Sequence, residues 1–212
     1  MMDKRTKETV KIFNDAAQGY QDKYMDVSPY ASSLTLFCGS LSSVESDILD
    51  VACGPGNVAK FIFDMLPEVK ITASDLSDCM LKLTKENVPM AETVSLDAKE
   101  IRTLGRKFDG VMASFILPYL TKSEVFQFIM DSTSILKENG ILYISTMQGL
   151  NSDSGYSGPS DGVQMYMNYH EVEYLEKAFV DGHFEIISSK LQPYDYGTDN
   201  NGTDIIIIGK KR

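Results

Sequence analysis

The residues best suited to chemistry lie together in Ile48-Leu49-Asp50-Val51-Ala52-Cys53-Gly54-Pro55-Gly56-Asn57. A short apolar run ends in small residues behind a carboxylate, the pattern of a buried strand feeding a turn and then a helix. Gly54 and Gly56 let a ligand approach the bare backbone, and the helix start offers N–H donors without partners inside the helix. A tight strand-to-helix turn that binds nothing is the plain alternative.

Gly54-Pro55-Gly56-Asn57-Val58-Ala59 also satisfies the dinucleotide pattern G-x-G-x-x-A. Asp75 stands about 20 residues on, where a ribose-binding acid belongs. That combination would describe a nicotinamide-dependent oxidoreductase. Asp50, however, puts a negative charge at the strand end, where it opposes a diphosphate and favours a cation. S-adenosylmethionine (SAM) carries an α-amino group and a sulfonium, both positive, so the charge of Asp50 favours SAM over a nicotinamide cofactor.

The elements around this turn follow from periodicity. Residues 1–43 read as helical and amphipathic, with Val10, Ile12, Phe13, Ala16, Tyr20 and Tyr24 at three- and four-residue steps and Pro29 as an interruption before a second helix over 30–41. Apolar runs at 48–51, 70–74, 93–96, 108–114 and 141–145 then alternate with helical stretches at 57–66, 77–86 and 122–137. Ser77 is placed to cap the second of these, Thr121-Lys122-Ser123-Glu124 forms a capping box for the third, and Asn139-Gly140 marks its end. Residues 148–163 read as a long polar loop, 171–180 as a helix, and 184–191 and 203–208 as two strands. Asp199-Asn200-Asn201-Gly202 is a turn signal that makes those two antiparallel. The expectation is an α/β fold: a doubly wound, seven-stranded, mainly parallel sheet with an antiparallel C-terminal hairpin and an N-terminal helical lid. It forms a single domain with the lid at 1–43, a cofactor-binding core at 44–147 and an acceptor-side region with closing strands at 148–212.

With those residues in view, the chain resembles the class I SAM-dependent methyltransferases, firmly over residues 45–147 and more loosely to the end. Asp50-Val51-Ala52-Cys53-Gly54-Pro55-Gly56 is similar to the family's first motif, D-x-G-C-G-x-G, with Ala52 in place of the first glycine. Asp75-Leu76-Ser77-Asp78-Cys79-Met80-Leu81 is similar to its D-L-S-x-x-M-L. By that resemblance Asp75 binds both ribose hydroxyls, a task a two-oxygen acceptor suits, and Leu76 and Met80 flank the adenine. Packing in the core would place Leu76 and Met80 there equally well. Ser95-Leu96-Asp97-Ala98 resembles the segment whose acid accepts from the adenine amine, although Asp97 could equally be a solvated helix cap. Phe108 to Ser114 resembles the fourth strand, which ends beside the methyl donor. The N-P-P-Y motif of amino-group DNA and protein methyltransferases is absent, with Ser114-Phe115-Ile116-Leu117 in its place. Phe13 to Tyr20 looks like the lid helix of the small-molecule branch, which would bring Tyr20 over the methionine end of SAM.

In a methyl transfer from a sulfonium the leaving thioether needs no proton, so a general base is required only for a hydroxyl or carbon-acid acceptor. His170, at a helix entry after the long loop, is the candidate base, with a helix cap or surface imidazole as the alternative. Tyr119 and Tyr166 are candidates to orient the acceptor. His183, at the start of a strand, reads as structural, and Cys53 as a small buried filler. Cys38, Cys53 and Cys79 form neither a CxxC pair nor a metal-ligand pattern with the two histidines, so no metal site is expected and the thiols read as reduced. The tyrosines at 156, 166, 169, 194 and 196 would suit the wall of a planar or apolar acceptor pocket.

Composition sets the outer limits. The 212 residues suffice for one domain with a substantial core. With 30 acidic against 20 basic residues the formal charge is -10, which disfavours nucleic acid and anionic membrane as partners. The charged N-terminus lacks an apolar signal core and no apolar run approaches the roughly 20 residues of a membrane span, so a cytoplasmic location is expected. The expected function is transfer of a methyl group from SAM, leaving S-adenosylhomocysteine (SAH), to a small-molecule acceptor. An oxidoreductase and a catalytically silent SAM-binding subunit are the alternatives.

Overall fold

The computed structural model describes residues 3–158, 162–194 and 202–212. Helices α1 (Lys4–Tyr24) and α2 (Ala31–Ser40) precede the sheet. Strands β1 (Asp47–Val51), β2 (Lys70–Asp75), β3 (Glu92–Ser95) and β4 (Phe108–Ser114) follow, with α3 (Asn57–Met65) and α4 (Asp78–Asn87) after the first two. Next come α5 (Lys122–Ile135) and β5 (Leu136–Met147), and then short strands β6 (Gly155–Ser157) and β7 (Met165–Met167). Helix α6 (Val172–Asp181) and strands β8 (Phe184–Tyr194) and β9 (Gly202–Lys211) close the chain.

Seven strands form one sheet in the order β3-β2-β1-β4-β5-β9-β8, parallel from β3 to β5, with β9 antiparallel to both β5 and β8. Apolar side chains alternate between two cores. Leu49, Val51, Val111, Ala113, Ile205 and Ile207 face the α5 and α6 side. Ile48, Met112, Tyr143, Ile206 and Ile208 face the α2 and α3 side. Both faces of β9 are therefore covered, which is why Ile205-Ile206-Ile207-Ile208 is an unbroken apolar run rather than an alternating one.

The connections run in opposite directions from the β1/β4 pair. In an open α/β sheet such a reversal leaves a crevice at the carboxyl ends of the strands. Both caps anticipated from sequence are present: Ser77 accepts from Met80 N, and Thr121 with Glu124 forms a reciprocal capping box. Helix α5 ends at Ile135, earlier than the sequence suggested, because Leu136 already pairs with Phe108 in the sheet. The ladder then shifts register before Ile141, and Asn139 takes a left-handed φ of 63° there, so Asn139-Gly140 serves an irregularity in β5 rather than a helix end. The stretch read as a loop contains β6, paired with β7 and fastened by Tyr156 edge-on to Tyr166 at 5.3 Å between ring centroids. Three-residue strands leave too short a period to be seen in a sequence. The turn residues Asp199-Asn200-Asn201 and Tyr196 lie outside the described residues. Among the described residues no helix is long and apolar enough to cross a membrane.

Candidate functional site

A cavity of about 420 Å³ occupies the crevice, roofed by the first half of α1. Its floor begins at the turn after β1. Ala52, Gly54 and Gly56 all have left-handed φ, at 54°, 55° and 82°. Glycine tolerates this freely, whereas a residue with a Cβ pays about 1–2 kcal/mol, so Ala52 holds its conformation under strain. The turn is held from behind by α4: Thr84 Oγ1 donates to Gly54 O at 2.7 Å and Asn87 Nδ2 to Pro55 O at 2.9 Å. A Cβ on Gly56 would lie 3.2 Å from Thr84. No local pattern marks Thr84 and Asn87, whose roles depend on how α4 packs.

Asp75 ends β2 at the cavity edge, where Gly54 N donates to Oδ2 at 3.0 Å and Ser77 N to Oδ1 at 2.8 Å. Burial raises its pKa, and these N–H groups oppose the rise. Leu76 and the fully buried Met80 follow on the cavity wall. Asp97 caps the helical turn that follows β3 and accepts from Lys99 N at 2.9 Å, and it lines the cavity with Ala98. Lys99 lies 3.2 Å from Asp3, 3.4 Å from Glu124 and 3.8 Å from Asp97, so one ammonium ties the start of α1 to the β3 loop and to α5.

Ser114 lies at the end of β4, its Oγ hydrogen-bonded to Ser145 at 3.1 Å. Phe115 follows on the cavity wall with a left-handed φ of 58°. Such strain in a bulky residue concentrates at sites with work to do. From α1, Tyr20 reaches the glycine turn, and a Cβ on Gly54 would sit 3.8 Å from its Cε1. Burial, then the neighbouring Tyr24 and Asp75, pushes the Tyr20 phenol up to about 12. Phe13 stands edge-on to both Tyr20 and Tyr119, at 5.7 and 5.4 Å, and the Tyr119 phenol is also raised, chiefly by burial. Tyr166 lines the outer part of the cavity under the Arg5 guanidinium, 4.0 Å from its ring centroid.

Of the cofactor and catalytic residues read from sequence, Asp50, Gly56 and His170 do not line the cavity, and of the tyrosines read as pocket wall Tyr169 and Tyr194 do not. Gly56 acts through the backbone of the turn. Asp50 is 1% exposed and its Oδ2 has no hydrogen-bond partner. Burial, then the like charge of Asp75, pushes its carboxyl up to about 8. Its charge is thus suppressed in the ligand-free protein, which corrects the picture of a standing negative strand tip. His170 is fully buried, with Nε2 2.8 Å from Leu117 O and Nδ1 hydrogen-bonded to the Tyr174 hydroxyl. Burial lowers its pKa. With both ring nitrogens engaged outside the cavity lining, His170 fastens the loop before α6 to the segment that follows β4. His183 has a φ of 61° in the turn before β8, and Cys53 packs against Thr84. Among the described residues no cluster of side chains could hold a metal ion.

A seven-stranded sheet, parallel from β3 to β5 with β9 antiparallel beside β5 and helices on both faces, is the Rossmann-like methyltransferase fold. Residues 48–140 match the family model for a methyltransferase domain. It is 29% identical over 137 residues to a malonyl-[acyl-carrier protein] O-methyltransferase of Acetivibrio thermocellus, covering 63% of this chain and 47% of that protein. A trans-aconitate 2-methyltransferase of an Enterobacter species is 27% identical over 109 residues, 51% of this chain and 42% of that protein. The chain thus matches under half the length of these curated relatives. Magnesium protoporphyrin IX methyltransferase from Synechocystis PCC 6803, solved with bound SAM, has the same fold at a TM-score of 0.71 and 14% identity, covering 100% of this chain and 99% of that one. The methyltransferase match favours SAM over the nicotinamide reading of the glycine turn.

Proposed function

We propose that this protein transfers a methyl group from SAM to a small-molecule acceptor. The observation that carries the reading is Asp50: a buried carboxyl with an unpartnered oxygen next to a turn of bare, left-handed backbone. A buried acid of this kind is relieved by a cation and penalised further by a diphosphate. The residues present fit the cofactor. Asp75 would hold the ribose hydroxyls, Leu76 and Met80 the adenine faces, and Asp97 with Ala98 the adenine edge. The backbone of Ala52, Gly54 and Gly56 would take the methionine portion, with Asp50 as its counter-charge, Tyr20 as its cover and Ser114 at the methyl end. Bound there, the sulfonium supplies a methyl carbon open to in-line attack.

The chain's own contribution is then placement. Holding an acceptor about 3 Å from that carbon and in line is worth roughly 7–11 kcal/mol. Among the described residues lining the cavity there is neither histidine nor cysteine. With their pKa values raised, the phenols of Tyr20 and Tyr119 stay protonated at neutral pH, so they orient an acceptor by donating hydrogen bonds rather than removing its proton. The cavity therefore favours acceptors that are nucleophilic without a strong base. Its enclosure under α1 supports a small molecule, and the net charge of -10 argues against a nucleic-acid chain.

The test is turnover. Incubated with SAM and a metabolite extract, the protein is expected to form SAH together with a product heavier by one CH₂. Tight SAM binding with neither product would instead mark a catalytically silent SAM-binding protein.

A further inference from the structure

The cavity is lined by charges of both signs, whereas the groove at its mouth is not. Asp75 and Asp97 lie at the end assigned to the cationic cofactor. At the other end the cavity opens into a shallower groove, which shares Arg5, Thr121, Tyr166 and Asn168 with it and adds Lys122. Although acids outnumber bases by 30 to 20 in the chain, none of the residues lining this groove is acidic.

Its two cations are held in an unusual way. The Arg5 guanidinium lies 4.0 Å from the Tyr166 ring centroid, and the Lys122 ammonium 4.2 Å from that of Tyr174. An aromatic face positions a cation without cancelling its charge. Neither cation has a carboxylate in ion-pair reach among the described residues. The nearby acids are already committed: Glu124 to Lys99 and the Thr121 cap, Asp3 to Lys99 and Thr6, and Glu8 to Lys4. A guanidinium stacked by its face keeps its in-plane N–H groups free for a planar or tetrahedral anion.

We propose that this groove binds an anionic group, a carboxylate or a phosphate ester, carried by the methyl acceptor at the end away from the reacting atom. Arg5 and Lys122 are its ligands, and they act as positioning and specificity residues. The inference deepens the methyltransferase reading and rests on it for the direction of the acceptor. A groove with two cations and no acid in its lining draws an acceptor's anion outward, so that its other end meets the cofactor. Because Arg5 belongs to α1, the acceptor's anion would also fasten the roof of the site.

The probes are 4-phenylbutyrate, 4-phenylbutyl phosphate and the neutral 4-phenylbutyramide, titrated at low ionic strength into the SAH-loaded protein and its Arg5→Gln, Lys122→Gln and double variants. Both side chains are exposed, so the variants are expected to fold and to keep SAH affinity. The anions should bind at least tenfold more tightly than the amide, each single variant should weaken them several-fold, and the double variant should erase the preference while leaving the amide unchanged. Tighter binding of the phosphate would assign a phosphate ester, and tighter binding of the carboxylate a carboxylic acid. Equal binding of anion and amide, no binding of any probe, or full retention by the double variant would overturn the proposal. If SAH fails to bind yet the probes retain their charge-dependent preference, the cofactor reading alone falls.

Discussion

Asp75→Ala is expected to lower the affinity for SAH by about a hundredfold or more. The carboxylate ends β2 at the cavity and already accepts from Gly54 N and Ser77 N, so its oxygens are fixed before any ligand arrives. Two hydrogen bonds from ribose hydroxyls to a charged acceptor at about 1.5 kcal/mol each amount to roughly 3 kcal/mol, or about 150-fold. The substitution also strands two N–H groups, so a loss of stability of about 1–3 kcal/mol should accompany it. Asp75→Asn keeps the shape and one acceptor oxygen, and it should fall between wild type and alanine. Calorimetry of SAH binding beside a urea titration separates the two effects. A folded Asp75→Ala protein that binds SAH within about threefold of wild type would remove Asp75 from the site.

Affinity for SAH should rise with pH up to about 8 and then level off. The Asp50 carboxyl titrates near 8 when the site holds no cation, because burial and the charge of Asp75 oppose its ionisation. The α-amino group of the cofactor restores the charged form, so binding below pH 8 expels a proton. At pH 7 the release approaches one proton, and affinity changes by about tenfold per pH unit in the window below the ligand-free pKa. Linkage also fixes the sign for stability. The unfolded carboxyl, with a pKa near 4, binds fewer protons than the folded one between about pH 4 and 8, so the ligand-free protein loses up to about 1.4 kcal/mol per pH unit as pH rises through that window. Calorimetry in buffers of different ionisation enthalpy reads the proton directly. Asp50→Asn should bind weakly, release no proton and show a flat pH profile. A wild-type affinity that is flat from pH 6 to 8 would show that Asp50 does not sense the cofactor.

What the sequence disclosed and what it withheld divide along a physical line. The glycine turn, Asp75 and the caps at Ser77 and Thr121 were legible because each depends on residues a few positions apart or on the span of one strand–helix–strand unit. The isoleucine run of β9 was legible as a strand. That both its faces are covered follows only from the two packed layers. His170 had the right residue type in the right region, but its orientation is decided by Leu117 and by Tyr174, which no local pattern reveals. The charge of Asp50 was readable and its suppression was not, since burial is a tertiary property. Arg5 drew no attention because a lone arginine in a charged N-terminal helix is ordinary until Tyr166 is placed beneath it.

The most direct test is a crystal structure of the protein grown with SAH in the presence of excess NADH. The adenosyl group is expected in the crevice, with its ribose on Asp75, its adenine between Leu76 and Met80, and its amino acid end over the turn from Ala52 to Gly56. A dinucleotide across that turn, or SAH bound elsewhere on the chain, would contradict the assignment of this cavity to SAM.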